Sequence, residues 1–342
     1  MRFGPVEVAA AAGGVVAHSV RRDALILKKG QVIGAAEIAA LHSAGVHSVV
    51  VARLEAGDVG EDEAALKLAR AVAGENLRVD KPFTGRSNLF AEAAGVFVAD
   101  ATGIDRINMI DESVTLATLP PYRTVVAGEM VATVKIIPFA VPGAVLEQSV
   151  ASAALARLSV RPFKALRVGV VSTVLPGLKA SVIDKTLRIL EGRLAPAQAQ
   201  IVKELRTPHE TSALAEAIAQ ILPSSDLVIV FGASAITDRR DVIPAAIEAA
   251  GGRIEHLGMP VDPGNLLLIG SFGEGGSRKP VLGAPGCARS PAENGFDWVL
   301  HRLLAGIEVT GADVKRMGAG GLLMEIVSRG QLRTGDGKPH DA

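Results

Sequence analysis

The sequence predicts an α/β protein: a mostly parallel sheet with helices on both faces in the C-terminal domain, preceded by a mixed α+β N-terminal region. Three observations lead there. After Pro162, short apolar runs alternate with helical patterns, the signature of strands joined by crossover helices. The run DLVIVF at 226–231 is almost continuously apolar, as a strand covered on both faces should be. Small-residue loops at 232–236, 258–265 and 284–291 follow, or lie close to, such runs, and an open α/β sheet gathers its ligands at the carboxyl ends of its strands.

Taken in order, LKKGQVI (27–33) reads as a strand, AAEIAALHSAG (35–45) as a helix stopped by Gly45, and VHSVVVARL (46–54) as a strand. Ile38 and Leu41 recur at helical spacing and face a core. His42 and His47 flank the Gly45 turn with no carboxylate or cysteine to complete a ligand set, so they read as surface residues. The stretch 61–73 opens on acids and closes on bases, an order that complements the dipole of a helix. Residues 125–142 look extended and 144–158 helical, with Val145, Leu146, Val150, Ala153 and Leu155 placed inward.

Pro162 marks the boundary. Beyond it a strand is expected at 165–173 and a helix at 181–194 capped by Ser181. A strand at 199–207, a helix at 210–222, the strand at 226–231 and a helix at 242–251 follow. Strands at 253–258 and 280–285 and a helix at 292–306 complete the set. The domains are therefore 1–162, 163–310 and a C-terminal extension, 311–342, whose last dozen residues read as a disordered tail.

Composition narrows the function. The 342 residues carry 36 basic and 36 acidic side chains, without the basic excess or stripe of a nucleic-acid binder. Cys287 is the single cysteine, so no intrachain disulfide can form and a reducing cytosol suits the chain. Pro5 and Glu7 interrupt the start where a signal peptide needs an apolar run. Glu147, Gln148 and Arg157 make 140–158 a poor spanning helix. The expectation is a cytoplasmic protein with no membrane or nucleic-acid partner.

By itself Gly232-Ala233-Ser234 fits a tight turn as well as a ligand site. The polar group behind it, Ser234, Thr237, Asp238, Arg239, Arg240 and Asp241, precedes a helix whose N-terminus can accept an anion. An aspartate beside phosphate-binding loops points to Mg²⁺. The competing reading of the DRRD run is a solvated turn of mutual ion pairs.

The segment RRDVIPAAIEAAG (239–251), preceded by a strand and GAS, resembles the molybdopterin-binding domain shared by molybdopterin adenylyltransferases and molybdopterin molybdenumtransferases. MPVDPGN (259–265) and APGCARSP (284–291) stand where that family has its two later proline-glycine loops, and STVLPG (172–177) where its first loop lies. The resemblance covers 165–306 well. It covers the first 55 residues more loosely, where AHSV (17–20) and 27–51 are similar to the molybdenumtransferase accessory region.

The resemblance implies molybdopterin, or its adenylylated form, as ligand or substrate, with ATP, molybdate or neither as second substrate, and a homo-oligomeric assembly. It implies a binding set of Gly232, Ala233, Ser234, Thr237, Pro263, Gly264, Asn265, Pro285, Gly286, Arg289 and Ser290. Mg²⁺ and the catalytic role fall to Asp241, with Asp238 the rival placement. Cys287 reads as a loop packing residue. Three departures stand out: Ala233 for a glycine, Asn265 for a lysine, and a first loop without acids. They keep open a non-catalytic molybdopterin carrier. A nucleotide-processing enzyme built on the same domain ranks last, because no second catalytic domain with a nucleophile is evident.

Overall fold

The structure, a computed structural model, describes residues 1–323; the tail expected at 331–342 lies outside them. The chain divides into two compact units, Met1–Pro162 and a second that begins at Phe163. Among the described residues no helix is long and apolar enough to cross a membrane.

The first unit holds two apolar cores. The strands Arg2–Glu7, Ser48–Arg53 and Val15–Val16 form an antiparallel sheet. They close with the helix Ala35–Ser43 around Val8, Val16, Leu41 and Val51. The expected strand at 27–33 is not there. Instead Val20–Arg22 and Leu25–Leu27 form a short antiparallel ladder, and Val32 makes only an isolated bridge to Val15. Gly30, in the left-handed region, turns the chain inside the segment read as extended. His42 and His47 are exposed, as expected.

The second core lies against a four-stranded antiparallel sheet, Val114–Thr118, Met130–Ile136, Arg86–Ala91 and Leu77–Val79. The helices Glu61–Val72, Ala101–Asn108 and Gly143–Ala153 supply the rest, with Leu68, Ile107 and Leu146 fully buried. The last of these helices stops five residues short of the expected 158. Leu155, placed inward by its periodicity, is instead 54% exposed.

The second unit is doubly wound. In order it runs β1 (Arg167–Val174), α1 (Ala180–Leu194), β2 (Gln200–Pro208), α2 (Thr211–Ile221), β3 (Leu227–Phe231), α3 (Val242–Ala249) and β4 (Arg253–Leu257). It continues through β5 (Leu268–Phe272), β6 (Lys279–Ala284), α4 (Gly295–Leu304) and α5 (Gly311–Lys315). The six-stranded sheet has the order β2-β1-β3-β6-β5-β4. Strands β1, β2, β3 and β6 are mutually parallel, and β5 alone runs against its neighbours.

Alternation along the strands feeds two cores. Leu227, Ile229 and Phe231 of β3 join Leu190 of α1 and Phe296 and Leu300 of α4 on one face. Val228 and Val230 join Leu214 and Ile218 of α2 and Ile243 and Ile247 of α3 on the other. Helices thus cover both faces, as the unbroken apolar run of β3 requires.

Three local expectations change. Strand β5 was not anticipated: NLLLI is an apolar run too short for periodicity to separate strand from helix. Ser181 is not the cap of α1. Lys179 holds the extended cap conformation and makes no side-chain bond, while Ser181 sits within the first turn. Helix α4 begins at Gly295 rather than 292, because Asn294 takes the cap and Asp297 completes a reciprocal capping box. After α4, Val309, Val314 and Met317 join the α1–α4 core. The segment ending at Leu323 exchanges backbone hydrogen bonds with Asp262.

His301 on α4 packs against Phe163, and burial pushes its imidazole below the ordinary value of 6.5. A group so depressed binds fewer protons folded than unfolded, so its contribution is complete above about pH 6.5 and is lost as pH falls below it. The melting temperature of the wild type should therefore drop between pH 7 and 5, and His301→Phe should flatten that slope. Aspartates such as Asp226 and Asp313, held below their ordinary 3.8 by Arg167 and Thr310 respectively, add their loss only at lower pH. Equal slopes for wild type and variant would refute the assignment.

Candidate ligand site at the carboxyl edge of the sheet

Because β1, β3 and β6 are parallel, the loops 175–179, 232–241 and 285–294 leave the sheet at one edge. Strand β4 ends and β5 begins at that same edge, with Leu257 opposite Leu268, so the 258–267 loop joins them. The chain reverses direction across β1, with β2 on one side and β3 on the other. Open α/β sheets bind ligands in the crevice at such a switch point.

That crevice is bridged by Thr173, at the end of β1. Thr173 is 1% exposed, and its hydroxyl accepts the amide of Ala233 at 2.7 Å and lies 2.8 Å from Nδ1 of His209, just past β2. Neither Thr173 nor His209 stood out in the sequence, because the contact joins residues 36 positions apart through sheet pairing alone. Thr173→Val is expected to cost about 1–3 kcal/mol by leaving a donor short of its acceptor. Urea denaturation measures this, and Thr173→Ser should retain most of the lost stability.

Beyond Ala233 the turn is open. Among the described residues, the amides of Ser234, Ala235 and Ile236 donate to no protein acceptor. Gly232 is the glycine this turn needs: a Cβ there would sit 2.6 Å from the Ser234 carbonyl. Its carbonyl accepts Nη2 of Arg289 at 2.8 Å, and the guanidinium lies 5.8 Å from the Phe231 ring. Arg289 Nε is buried with no partner. Burial pushes this guanidinium below its ordinary value, with no carboxylate to oppose the shift.

The two aspartates differ. Asp241 caps α3, one carboxylate oxygen accepting the Val242 amide at 2.8 Å and the other the Thr237 amide at 3.3 Å. The α3 N-terminus, expected to receive an external anion, is thus already occupied by Asp241. Asp238 is clamped by the backbone and guanidinium of Arg240, which hold its carboxyl below the usual range. This is the ion-paired turn that the DRRD run also allowed.

Among the described residues no three His, Cys, Asp or Glu side chains gather as a metal cluster. Mg²⁺ needs only one or two carboxylates when substrate phosphates and water complete its shell. Asp241 keeps lone pairs beyond its two backbone bonds and fits that role; Asp238, engaged by Arg240, fits it less well.

The 258–267 loop is seated on the start of α4. The Pro263 carbonyl accepts the Gly295 amide at 2.8 Å. Gly264 has φ +145°, and a Cβ there would lie 2.8 Å from Gly295 Cα. Asn265 is exposed, and its side-chain amide reaches the Met259 carbonyl at 3.4 Å. The 285–294 loop is held from beneath by Arg193 of α1. Arg193 pairs with Asp297, both nearly buried, and donates to the carbonyls of Ala288 at 2.9 Å and Ser290 at 2.7 Å. Pro285 is buried and Gly286 exposed. The Ser290 hydroxyl accepts the Ala292 amide at 3.3 Å. Burial pushes the Cys287 thiol upward, away from the reactive thiolate.

Comparison with known proteins supplies the deciding observation: residues 168–305 match the family described as "Probable molybdopterin binding domain". Residues 168–305 are a domain of the molybdopterin-binding family. The match spans β1 through α4 and so contains all the carboxyl-edge loops of this family domain. A second match, over residues 5–53, is to a domain of unknown function. No curated protein matches the chain.

Similar solved structures include a molybdopterin biosynthesis MoeA protein from Pyrococcus horikosii, 14% identical, with 89% of this chain and 75% of that one covered and a TM-score of 0.31. Another is the tungsten cofactor synthesizing protein MoaB from Pyrococcus furiosus, 16% identical, with 41% and 91% covered and a TM-score of 0.29. The family assignment rests on the domain match and not on these superpositions.

Proposed function

We propose that this chain binds molybdopterin, or its adenylylated form, at the carboxyl edge of the second unit and acts there as a Mg²⁺-dependent adenylyl- or molybdenumtransferase. The observation that carries the reading is the open turn at Ser234, Ala235 and Ile236, set beside Arg289 within a domain of this family. Three backbone donors and a guanidinium suit a phosphate, because oriented amides and a cation stabilise its charge together. The Gly264 and Gly286 loops line the same edge and would grip the remainder of the ligand. Mg²⁺, held by Asp241 with Asp238 as the alternative, would offset charge at the phosphorus atom. The protein's own contribution is positioning: Thr173 and Arg289 fix the turn, and Arg193 fixes the opposing loop.

Co-purified pterin, read by fluorescence after oxidation, tests binding. Conversion of added molybdopterin with Mg²⁺ and ATP or molybdate tests catalysis. The carrier reading is favoured by Asn265 in place of a lysine and by the engagement of Asp238 with Arg240. Replacing both Asp238 and Asp241 with Asn separates the two. An enzyme loses turnover by about a hundredfold, the order seen when charge stabilisation is removed from an active site, with affinity changed far less. A carrier shows a change in binding alone.

A further inference from the structure

Thr173 links the ends of β1, β2 and β3, and its partner His209 has a second ring nitrogen that no protein group uses. The His209 amide donates to the Val174 carbonyl at 3.0 Å. That bond carries the pairing of β2 with β1 one residue beyond Pro208 and holds the imidazole beside Thr173. The Thr173 hydroxyl has a single proton. It accepts the Ala233 amide at 2.7 Å, and its one other polar partner among the described residues is Nδ1 of His209 at 2.8 Å. The hydroxyl proton therefore belongs on the line to Nδ1. Were Nδ1 protonated instead, the hydroxyl of a residue only 1% exposed would hold a proton without an acceptor, the costly case for a buried donor. In its neutral form the imidazole thus carries its own proton on Nε2. His209 is partly exposed, and among the described residues Nε2 has no protein partner.

We propose that His209 orients the ligand of the carboxyl-edge site: Thr173 fixes its tautomer, and Nε2–H donates a hydrogen bond to a ring carbonyl or ring nitrogen of the bound pterin. The inference rests on the molybdopterin reading and deepens it. One hydroxyl separates the imidazole from the Ala233 turn, so the ring stands beside the open amides without joining them. A neutral donor adds no charge to offset a phosphate, which the free amides and Arg289 already suit. It matches an uncharged heterocyclic acceptor instead. The same geometry makes His209 a donor and not a base, because its one basic nitrogen is occupied by the Thr173 hydroxyl. Thr173 is then a positioning residue that acts through His209.

Two substitutions at one position separate this role from a purely structural one. Glutamine places its amide nitrogen about where Nε2 lies, whereas asparagine places its side-chain oxygen about where Nδ1 lies. In titrations of the full chain with molybdopterin, His209→Gln should bind nearly as the wild type does. His209→Asn should keep the Thr173 bond and most of the stability in urea, yet bind about three- to tenfold more weakly, the worth of one neutral hydrogen bond. A structural role alone predicts the opposite order, with affinity following stability and Asn the better replacement. Nitrogen NMR of the imidazoles at about pH 8, where the ring is ordinarily neutral, reads the tautomer directly. The His209 proton should sit on Nε2 in the wild type and in Thr173→Ser, and be shared between the nitrogens in Thr173→Val. Circular dichroism verifies folding of each variant. A proton on Nδ1 in the wild type, undiminished affinity in His209→Asn, or equal losses in both His209 variants would overturn the proposal. Those outcomes leave wild-type binding intact and strike this inference alone; a wild type that binds no molybdopterin sinks the molybdopterin reading together with it.

Discussion

Replacing Arg193 with alanine is expected to destabilise the second unit by about 3–5 kcal/mol, the usual cost of removing one partner of a buried ion pair. The substitution leaves the Asp297 carboxylate, 7% exposed, without its cation. It also strips the Ala288 and Ser290 carbonyls of their donor. Chemical denaturation of the second-unit transition measures the loss. The informative companion is Arg193→Met combined with Asp297→Leu, which removes both charges and should recover much of the stability. Ligand affinity is not expected to recover, since the 285–294 loop would still lack its anchor. Recovery of both stability and affinity would show that the loop holds its shape without Arg193.

Replacing Gly264 with alanine is expected to cost roughly 1–3 kcal/mol through steric overlap, and to weaken ligand binding as the 258–267 loop lifts from α4. The overlap is with backbone: the new Cβ would meet Gly295 Cα and N at 2.8 and 2.9 Å, and no rotamer change relieves it. The positive φ adds strain for any residue with a Cβ. The reciprocal change, Gly295→Ala, meets the side chain of Met259 at 2.6 Å. Met259 is flexible, so the second substitution should be the milder of the two. Thermal denaturation ranks them, and the reverse order would show that the loop is not seated on α4 as described.

The sheet was legible because its central strands are apolar on both faces and announce themselves as runs such as VGVV or LVIVF. The loops were legible because Gly-Pro punctuation fell after those runs. Strand β5 escaped because nothing punctuates NLLLIGSF before Gly270, and its antiparallel pairing carries no local signal. The site was partly legible. Asp241 could be named from the polar run before α3 and Arg289 from the family resemblance, but not that Asp241 also caps its own helix. Thr173, His209, Arg193 and Asp297 are brought together by pairing and packing across 36 to 104 positions, which local patterns do not encode. Paired glycines at 264 and 295 are such a contact too, visible in sequence only as two unrelated small residues.

The hydrophobic interior of the second unit does not stop where family resemblance stops. The match ends at residue 305, yet Val309, Val314 and Met317 are part of the core built on α1 and α4. Asp262, in the loop seated on Gly295, donates its amide to Gly321 and accepts from Leu323. A polypeptide cut at 305 would expose that apolar wall and leave a proline-glycine loop without the segment that bridges to Asp262. The smallest autonomous folding unit therefore extends at least to Leu323, and the binding loop owes its shape to residues that homology alone would leave out.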